Sequence, residues 1–351
     1  MKKPFHRGLV VGKFAPLHRG HELVIHHAFE QCDEVILISY SKPELPGCSP
    51  EVREQWLAAL FPNAVRLVVT HARLQEWKKL EADPGQIPHN DADEKIHREF
   101  CAYLCRSVLK KEIDVIFTSE SYGNGFAEEL TRYFRRHNPA AAEVRHIIVD
   151  HHRKQIPVSG THLRENVHQN RQWLSPAVYA SFVKRICFLG GESSGKSTLA
   201  GTLGRHFGTM HVPEYGRELW DKKKGNFVFE DMLLIAQTQV KLEEEAALKA
   251  NEFLFCDTSP LTTLFYSNHR FGQADAIVEH LAKRLYHFVI LCAPDFPFVQ
   301  DGTRRPESFR QLQHEWYLQQ LASRKINYLL VTGSIENRVR QIQEFIQAKP
   351  R

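Results

Sequence analysis

Apolar residues along this chain come in short unbroken runs. Between the runs lie longer stretches where apolar positions recur every three or four residues. An unbroken run of four to six bounded by turn signals reads as a strand buried on both faces, and the 3.6 spacing reads as a helix covering it. The first run is Gly8-Leu9-Val10-Val11, followed by a Gly- and His-bearing loop and then by helical spacing over 22–29. Further strands are expected at 34–39, 65–70, 114–118 and 144–150. Ser49-Pro50 starts a helix, with serine as cap and proline at the first helical position. The polar segment 77–93, with Pro84-Gly85 and Pro88, reads as a long surface loop, either a solvated insertion or a substrate lid. Ser175-Pro176 then breaks the pattern and starts a short helix through Lys184. Strands resume at 185–189, 210–214, 253–257 and 287–292, and helical spacing closes the chain over 335–348. Strictly alternating elements imply parallel sheets. The expectation is two α/β domains, 1–173 and 185–351, joined by a linker helix at 174–184.

Composition narrows the class. A chain of 351 residues can bury two cores. With 42% apolar and 25% charged residues it reads as an ordinary soluble protein. No run approaches the ~20 apolar residues of a membrane span. Lys2-Lys3 leads almost at once into the first strand, so no secretory leader is expected. Seven cysteines without a Cys-x-x-Cys pair imply neither a disulfide framework nor a metal site, and a reducing cytoplasm is the expected location. A net charge of +5 would attract nucleotides but is no nucleic-acid footprint. A homo-oligomer is left open.

Candidate chemistry gathers at strand ends. The stretch 12–21 reads G-K-F-x-P-x-H-x-G-H, with Gly12, Lys13, Phe14, His18 and His21, between a strand and a helix N-terminus. Unbonded N–H groups and the helix dipole make that place suit phosphate. Ser119, Glu120 and Tyr122 follow the fourth strand, where α/β sheets bind ligands. Ser159 or Thr161 can cap a helix that carries Arg164, offering hydroxyls and a guanidinium to a polyphosphate. In the second half, Gly190, Gly191, Glu192, Ser193, Ser194, Gly195, Lys196, Ser197 and Thr198 satisfy G-x-x-x-x-G-K-[ST], with a strand before and a helix after. Backbone N–H groups would wrap the β-phosphate, Lys196 would reach the β- and γ-phosphates, and Ser197 would hold Mg²⁺. Glu214, with Tyr215 and Arg217 after it, ends a short strand as an acid able to hold or deprotonate an acceptor hydroxyl. Asp257 ends a buried strand in the place of a Walker B acid and metal partner. Arg304 lies in a loop that reads as a lid over the phosphates.

The stretch 12–21 resembles the signature of nucleotidylyltransferases, and with the late S-x-T-x-x-R element at Ser159, Thr161 and Arg164 it is similar to the nicotinamide-nucleotide adenylyltransferases. Followed by a P-loop kinase, the whole chain resembles the NadR family of bifunctional adenylyltransferases and ribosylnicotinamide kinases. That resemblance implies an N-terminal Rossmann-like nucleotidylyltransferase sheet and a C-terminal P-loop kinase sheet. It implies that the kinase half phosphorylates nicotinamide riboside to the mononucleotide (NMN) with ATP. The other half would then join AMP to NMN, giving NAD and pyrophosphate, with Mg²⁺ arriving on ATP. Catalytic roles would fall to His18, His21, Lys196, Glu214 and Asp257. Two features depart from the family: Ser259 follows Asp257-Thr258 where members often carry Asp or Asn, and 77–93 has no counterpart. Some enterobacterial members begin with a helix-turn-helix and act as repressors; a first strand near residue 8 leaves no room for one, so no repressor role is expected. Two competing readings remain at this point. One is a pantetheine-phosphate or flavin type adenylyltransferase fused to a different kinase. The other is a nucleotide sensor without turnover.

Overall fold

The apolar runs become parallel strands in the computed structural model, which describes residues 2–78, 85–295 and 306–348. Two compact units emerge, Met1–Ser181 and Phe182–Arg351. In the first, the chain runs β1 (Phe5–Val11), α1 (Arg19–Gln31), β2 (Cys32–Ser39), α2 (Pro50–Leu60), β3 (Val65–Val68), α3 (His71–Lys78), α4 (Glu94–Tyr103), β4 (Val115–Thr118), α5 (Gly123–His137), β5 (Arg145–Ile148), α6 (Gly160–Glu165) and α7 (Pro176–Tyr179). All five strands are parallel, in the order β3-β2-β1-β4-β5. Leu9, Ile36, Ile38 and Ile116 meet Phe100, Phe126, Leu130 and Phe134 in a dry core. Each such side chain contributes about 1.5–3 kcal/mol on burial. The half-exposed Arg7–Glu34 ion pair across β1 and β2 contributes about 0–1. The apolar run therefore fixes the strand. Chain order reverses between β1 and β4, which opens a crevice past their carboxyl ends.

The second unit runs β6 (Lys184–Leu189), α8 (Lys196–His206), β7 (His211–Val212), α9 (Tyr215–Lys222), α10 (Phe229–Ala247), β8 (Phe253–Cys256), α11 (Pro260–Phe271), α12 (Ala276–Leu281), β9 (Phe288–Cys292), α13 (Glu307–Ser323), β10 (Leu329–Val331) and α14 (Ile335–Ala348). Its five parallel strands are ordered β10-β9-β6-β8-β7. The strand feeding the phosphate loop is central, so its carboxyl end faces loops from both sides. Phe188, Phe255 and Ile290 pack under α8 and α14, and Leu189, Leu264, Leu291 and Tyr317 fill the other face.

Three expectations need correction. The first strand begins at Phe5, because Phe5 and Arg7 pair with Cys32 and Glu34. Segment 77–93 is not one long surface loop: Trp77 lies in the last turn of α3 and packs on the core, and Ile87 is buried in it. Residues 85–93 dock beside β2 through Asn90, whose N–H donates to the Lys42 carbonyl (2.7 Å) and whose side chain binds Ser41 and Pro43. Residues 79–84 lie outside the described residues. The α-helix from Pro176 ends at Tyr179 and a tighter turn carries on to Phe182, but Lys184 already belongs to the sheet, its N–H donating to Glu252.

Candidate active sites

In the first unit, His18 caps α1 with extended backbone, and its Nδ1 accepts the Gly20 N–H at 3.2 Å. A neutral ring with Nδ1 accepting carries its proton on Nε2, a donor for an incoming oxygen. His21 stacks on His18 with centroids 3.7 Å apart, and Phe14 meets His21 edge-on at 5.1 Å. Phe14 takes φ +46, and a Cβ on Gly12 would lie 2.8 Å from its ring, so only glycine fits there. His18 is buried, which with the charge of Arg153 pushes its pKa down to about 4. Burial, the His18 ring and Arg153 hold His21 low as well. The His21 Nδ1 is buried without a hydrogen-bond partner.

The late element closes onto this loop. Ser159 caps α6 by accepting the His162 N–H at 3.2 Å. Arg164 donates to the Ala15 carbonyl (2.5 Å) and to Thr161 Oγ1 (3.1 Å). Gly160 lies so near that a Cβ there would sit 3.2 Å from Ala15 O. Thus Ser159, Thr161 and Arg164 gather around the loop of His18 and His21, while Lys13 is exposed beside it. Arg53, which the sequence reading placed only in a helix start, is fully buried. It donates to the Lys13 carbonyl (3.2 Å), to Ser39 Oγ (2.9 Å) and to both Glu44 oxygens (2.8 Å). The only advance signal was an arginine on the apolar face of α2. After β4, Ser119, Glu120 and Tyr122 lead into α5, and Thr118 Oγ1 donates to the Glu120 carbonyl (2.7 Å). His146 bridges Thr118 Oγ1 (2.9 Å) and Asn124 Oδ1 (2.7 Å), pressed so close on Gly123 that a Cβ would collide at 2.0 Å.

In the second unit, the loop 190–195 turns sharply through Gly190 (φ +146), Ser193 (φ +58) and Gly195 (φ +83). Lys196 Nζ donates to the Gly190 and Gly191 carbonyls, both at 2.9 Å, and Ser194 Oγ donates to Gly191 O. Arg338 of α14 is buried beneath, donating to Ser194 O (3.0 Å), Ala293 O (3.1 Å) and Gly333 O (2.8 Å) and pairing with Asp295. The loop opens on a cavity of about 420 Å³. Glu192, Lys196, Ser197, Glu214 and Arg217 line it together with Trp220, Phe227, Met232, Ile235 and Tyr266, and with Arg270, whose guanidinium stands 5.7 Å from the Trp220 and Phe227 ring centroids.

Asp257 is buried with its Oδ1 unpartnered. Burial raises its pKa, with the Lys196 charge and the Ser197 hydroxyl opposing. Burial likewise raises Glu214, against the pull of Lys196 and Arg217. The next residue, Thr258, takes φ +135 and its hydroxyl has no partner. A β-branched residue there is strained, and such strain gathers at functional positions. Buried Gln239 accepts the Tyr215 N–H (3.0 Å) and donates to Pro213 O (3.3 Å), which fixes the approach of Glu214. Tyr266 donates to Glu192 (3.0 Å). Trp220, Tyr266 and Gln239 carried no motif and were missed, and Thr258 was read only as part of the Asp257-Thr258 pair. Arg304 lies outside the described residues. Among the described residues no group of three His, Cys, Asp or Glu is placed to hold a metal, and no helix is long and apolar enough to cross a membrane.

A family model described as an AAA domain matches residues 185–338. The chain is 27% identical over 304 residues to the trifunctional NAD biosynthesis/regulator protein NadR of Escherichia coli (strain K12), spanning 85% of this chain and 71% of that protein. It is 28% identical over 182 residues to a nicotinamide-nucleotide adenylyltransferase of Thermococcus kodakarensis, 51% of this chain and 83% of that protein. A crystal structure of NadR protein in complex with NR superposes with TM-score 0.69 at 20% identity, covering 99% of this chain and 98% of that one. That likeness shows a shared fold.

Proposed function

Because this chain is homologous to the NadR proteins, we propose that it makes NAD from nicotinamide riboside in two ATP-driven steps. The observation that supports the reading is a pair of glycine-bearing loops, one in each unit, each between a strand and a helix N-terminus and each beside groups suited to a different transfer. The P-loop opens on a cavity lined by Glu214 and by the aromatic residues Trp220, Phe227 and Tyr266, and buried Asp257 precedes the lining residue Thr258. Trp220, Phe227 and Tyr266 give this cavity an aromatic wall on which a flat pyridine ring is proposed to stack.

In the kinase step, Glu214 or Asp257 takes the proton of the riboside hydroxyl as its oxygen attacks the γ-phosphorus. Lys196 would leave the loop carbonyls for the β- and γ-phosphates. The orphaned Asp257 Oδ1, on a carboxylate hydrogen-bonded to the Ser197 hydroxyl, fits Mg²⁺ carried in by ATP. That ion, when bound, neutralises charge on the departing diphosphate. Tyr215 and Arg217, flanking Glu214, are proposed to hold the riboside.

In the transferase step, a phosphate oxygen of NMN attacks the α-phosphorus of ATP and pyrophosphate leaves. His18 offers Nε2–H and His21 its own ring donor to the developing charge, while Gly12, Lys13, Phe14 and the group of Ser159, Thr161 and Arg164 shape and charge the triphosphate site. Ser119, Glu120 and Tyr122 are proposed to receive NMN. The test supplies the protein with ATP, Mg²⁺ and, separately, nicotinamide riboside, NMN, nicotinate mononucleotide, pantetheine phosphate and FMN, and identifies products by mass. NMN from the riboside and NAD from NMN are expected. Adenylylated pantetheine phosphate or FMN instead would refute the assignment, and no turnover of any acceptor would leave a nucleotide sensor.

A further inference from the structure

Arg153 belongs to neither motif of the transferase loop, yet three observations converge on it. It stands in a turn where Asp150, His152 and Arg153 all take left-handed backbone (φ +53, +67 and +52). None is glycine, so each carries a steric cost that the surroundings must offset. The Asp150 carboxylate holds the turn, accepting the Gln155 and Ile156 N–H groups at 2.8 and 3.0 Å. The turn reaches the loop of His18 and His21: an Ile156 methyl lies 3.9 Å from where a Cβ on Gly20 would be.

The second observation is the partner. Arg153 Nη2 donates to Glu120 Oε1 at 2.8 Å, with side chains 42% and 51% exposed. A pair this open to water is held weakly and exchanges readily. The third is reach: the Arg153 charge depresses both imidazoles. A guanidinium beside two imidazoles opposes their protonation and leaves a positive charge there that a polyanion can answer. Arg164 is already engaged with Ala15 and Thr161. Arg153 is engaged with a carboxylate alone.

We propose that Arg153 is a ligand of the ATP triphosphate in the transferase unit, parked on Glu120 until the nucleotide arrives. This rests on the transferase reading above. Phosphate replaces carboxylate as acceptor for the same planar fork of donors. Glu120, released, turns its oxygens to hydroxyl groups of the acceptor nucleotide, so that ATP binding prepares the second subsite.

The test uses the full-length protein and follows NAD formation from NMN with ATP varied. Arg153→Gln raises KM for ATP about tenfold, as loss of one charge-assisted contact does, and leaves kcat within about threefold. Arg153→Lys recovers most of that loss. Glu120→Gln ends the parking, so KM for ATP falls while KM for NMN rises. An unchanged KM for ATP in Arg153→Gln overturns the proposal. So does a Glu120→Gln variant that weakens ATP as much as Arg153→Gln, since the pair would then be structural only. If the wild-type chain forms no NAD, the transferase reading fails separately. Calorimetric binding of a non-hydrolysable ATP analogue to the Lys196→Ala protein, whose P-loop is disabled, then decides: Arg153→Gln must weaken the remaining site about tenfold or the proposal fails too.

Discussion

His18 and His21 stay neutral at physiological pH because the fold denies them water and sets Arg153 beside them. The sign follows from linkage. His18 has an ordinary value of 6.5 and a folded value of about 4. Between the two, the unfolded chain binds the proton and the folded chain does not. Stability is therefore present above about pH 6.5 and lost as pH falls toward 4. Melting temperature measured from pH 7.5 to 4.5 should show this acid slope, and His18→Asn, which keeps a capping acceptor for Gly20, should reduce it to the part that His21 contributes. The same variant should lower NAD formation about 100-fold or more, the cost of removing one donor to developing charge. Thr258 offers a second test. Thr258→Gly relieves a φ of +135 and should raise the melting temperature of the second unit, a gain of about 1 kcal/mol, while riboside phosphorylation falls. At this scale the two strand–loop–helix turns were legible because their signals are local: residues two to six apart share one turn. Arg53, Gln239 and Thr258 were not, because their roles depend on groups 24 to 40 positions away or on a backbone angle.

Elements carry the next layer. The N-terminus of α5 is set by His146, clasped between Thr118 and Asn124 over Gly123. Gly123→Ala would drive a methyl into that ring. It should cost about 1–3 kcal/mol, read as a lower denaturant midpoint, with activity toward NMN lost before activity toward the riboside. Helix α2 presents Arg53 to four acceptor atoms. Arg53→Leu leaves the Lys13 carbonyl and Glu44 without it, and about 3 kcal/mol of destabilisation is expected by chemical denaturation. Strand and helix alternation was readable from periodicity alone, since both sheets are parallel and covered on both faces. Boundaries were less so. Phe5 to Arg7 hold two polar residues in three and enter the sheet only through pairing with β2, and residues 85–93 look like loop until Ile87 and Asn90 find their places beside β2.

The whole molecule holds two sheets of different strand order, each with its own core and its own cradle. Chemistry in one unit should survive loss of the other. Lys196→Ala should abolish NMN formation from the riboside and leave NAD formation from supplied NMN within about twofold; equal loss of both in a product assay would refute independence. Two domains were legible because a fresh strand-loop-helix start recurs in mid-chain. Strand order was not, because nothing local says that β6 would settle between β8 and β9.

Arg338 sits in the last helix, yet its guanidinium holds the carbonyl of Ser194, 144 positions earlier. On the ribosome the phosphate loop is thus synthesised long before its keystone emerges. A nascent chain can complete the first unit and still carry a second whose nucleotide cradle is slack. Chains stopped short of that helix should keep the N-terminal chemistry and lose the other, and in the cell they would be the ones a protease finds open.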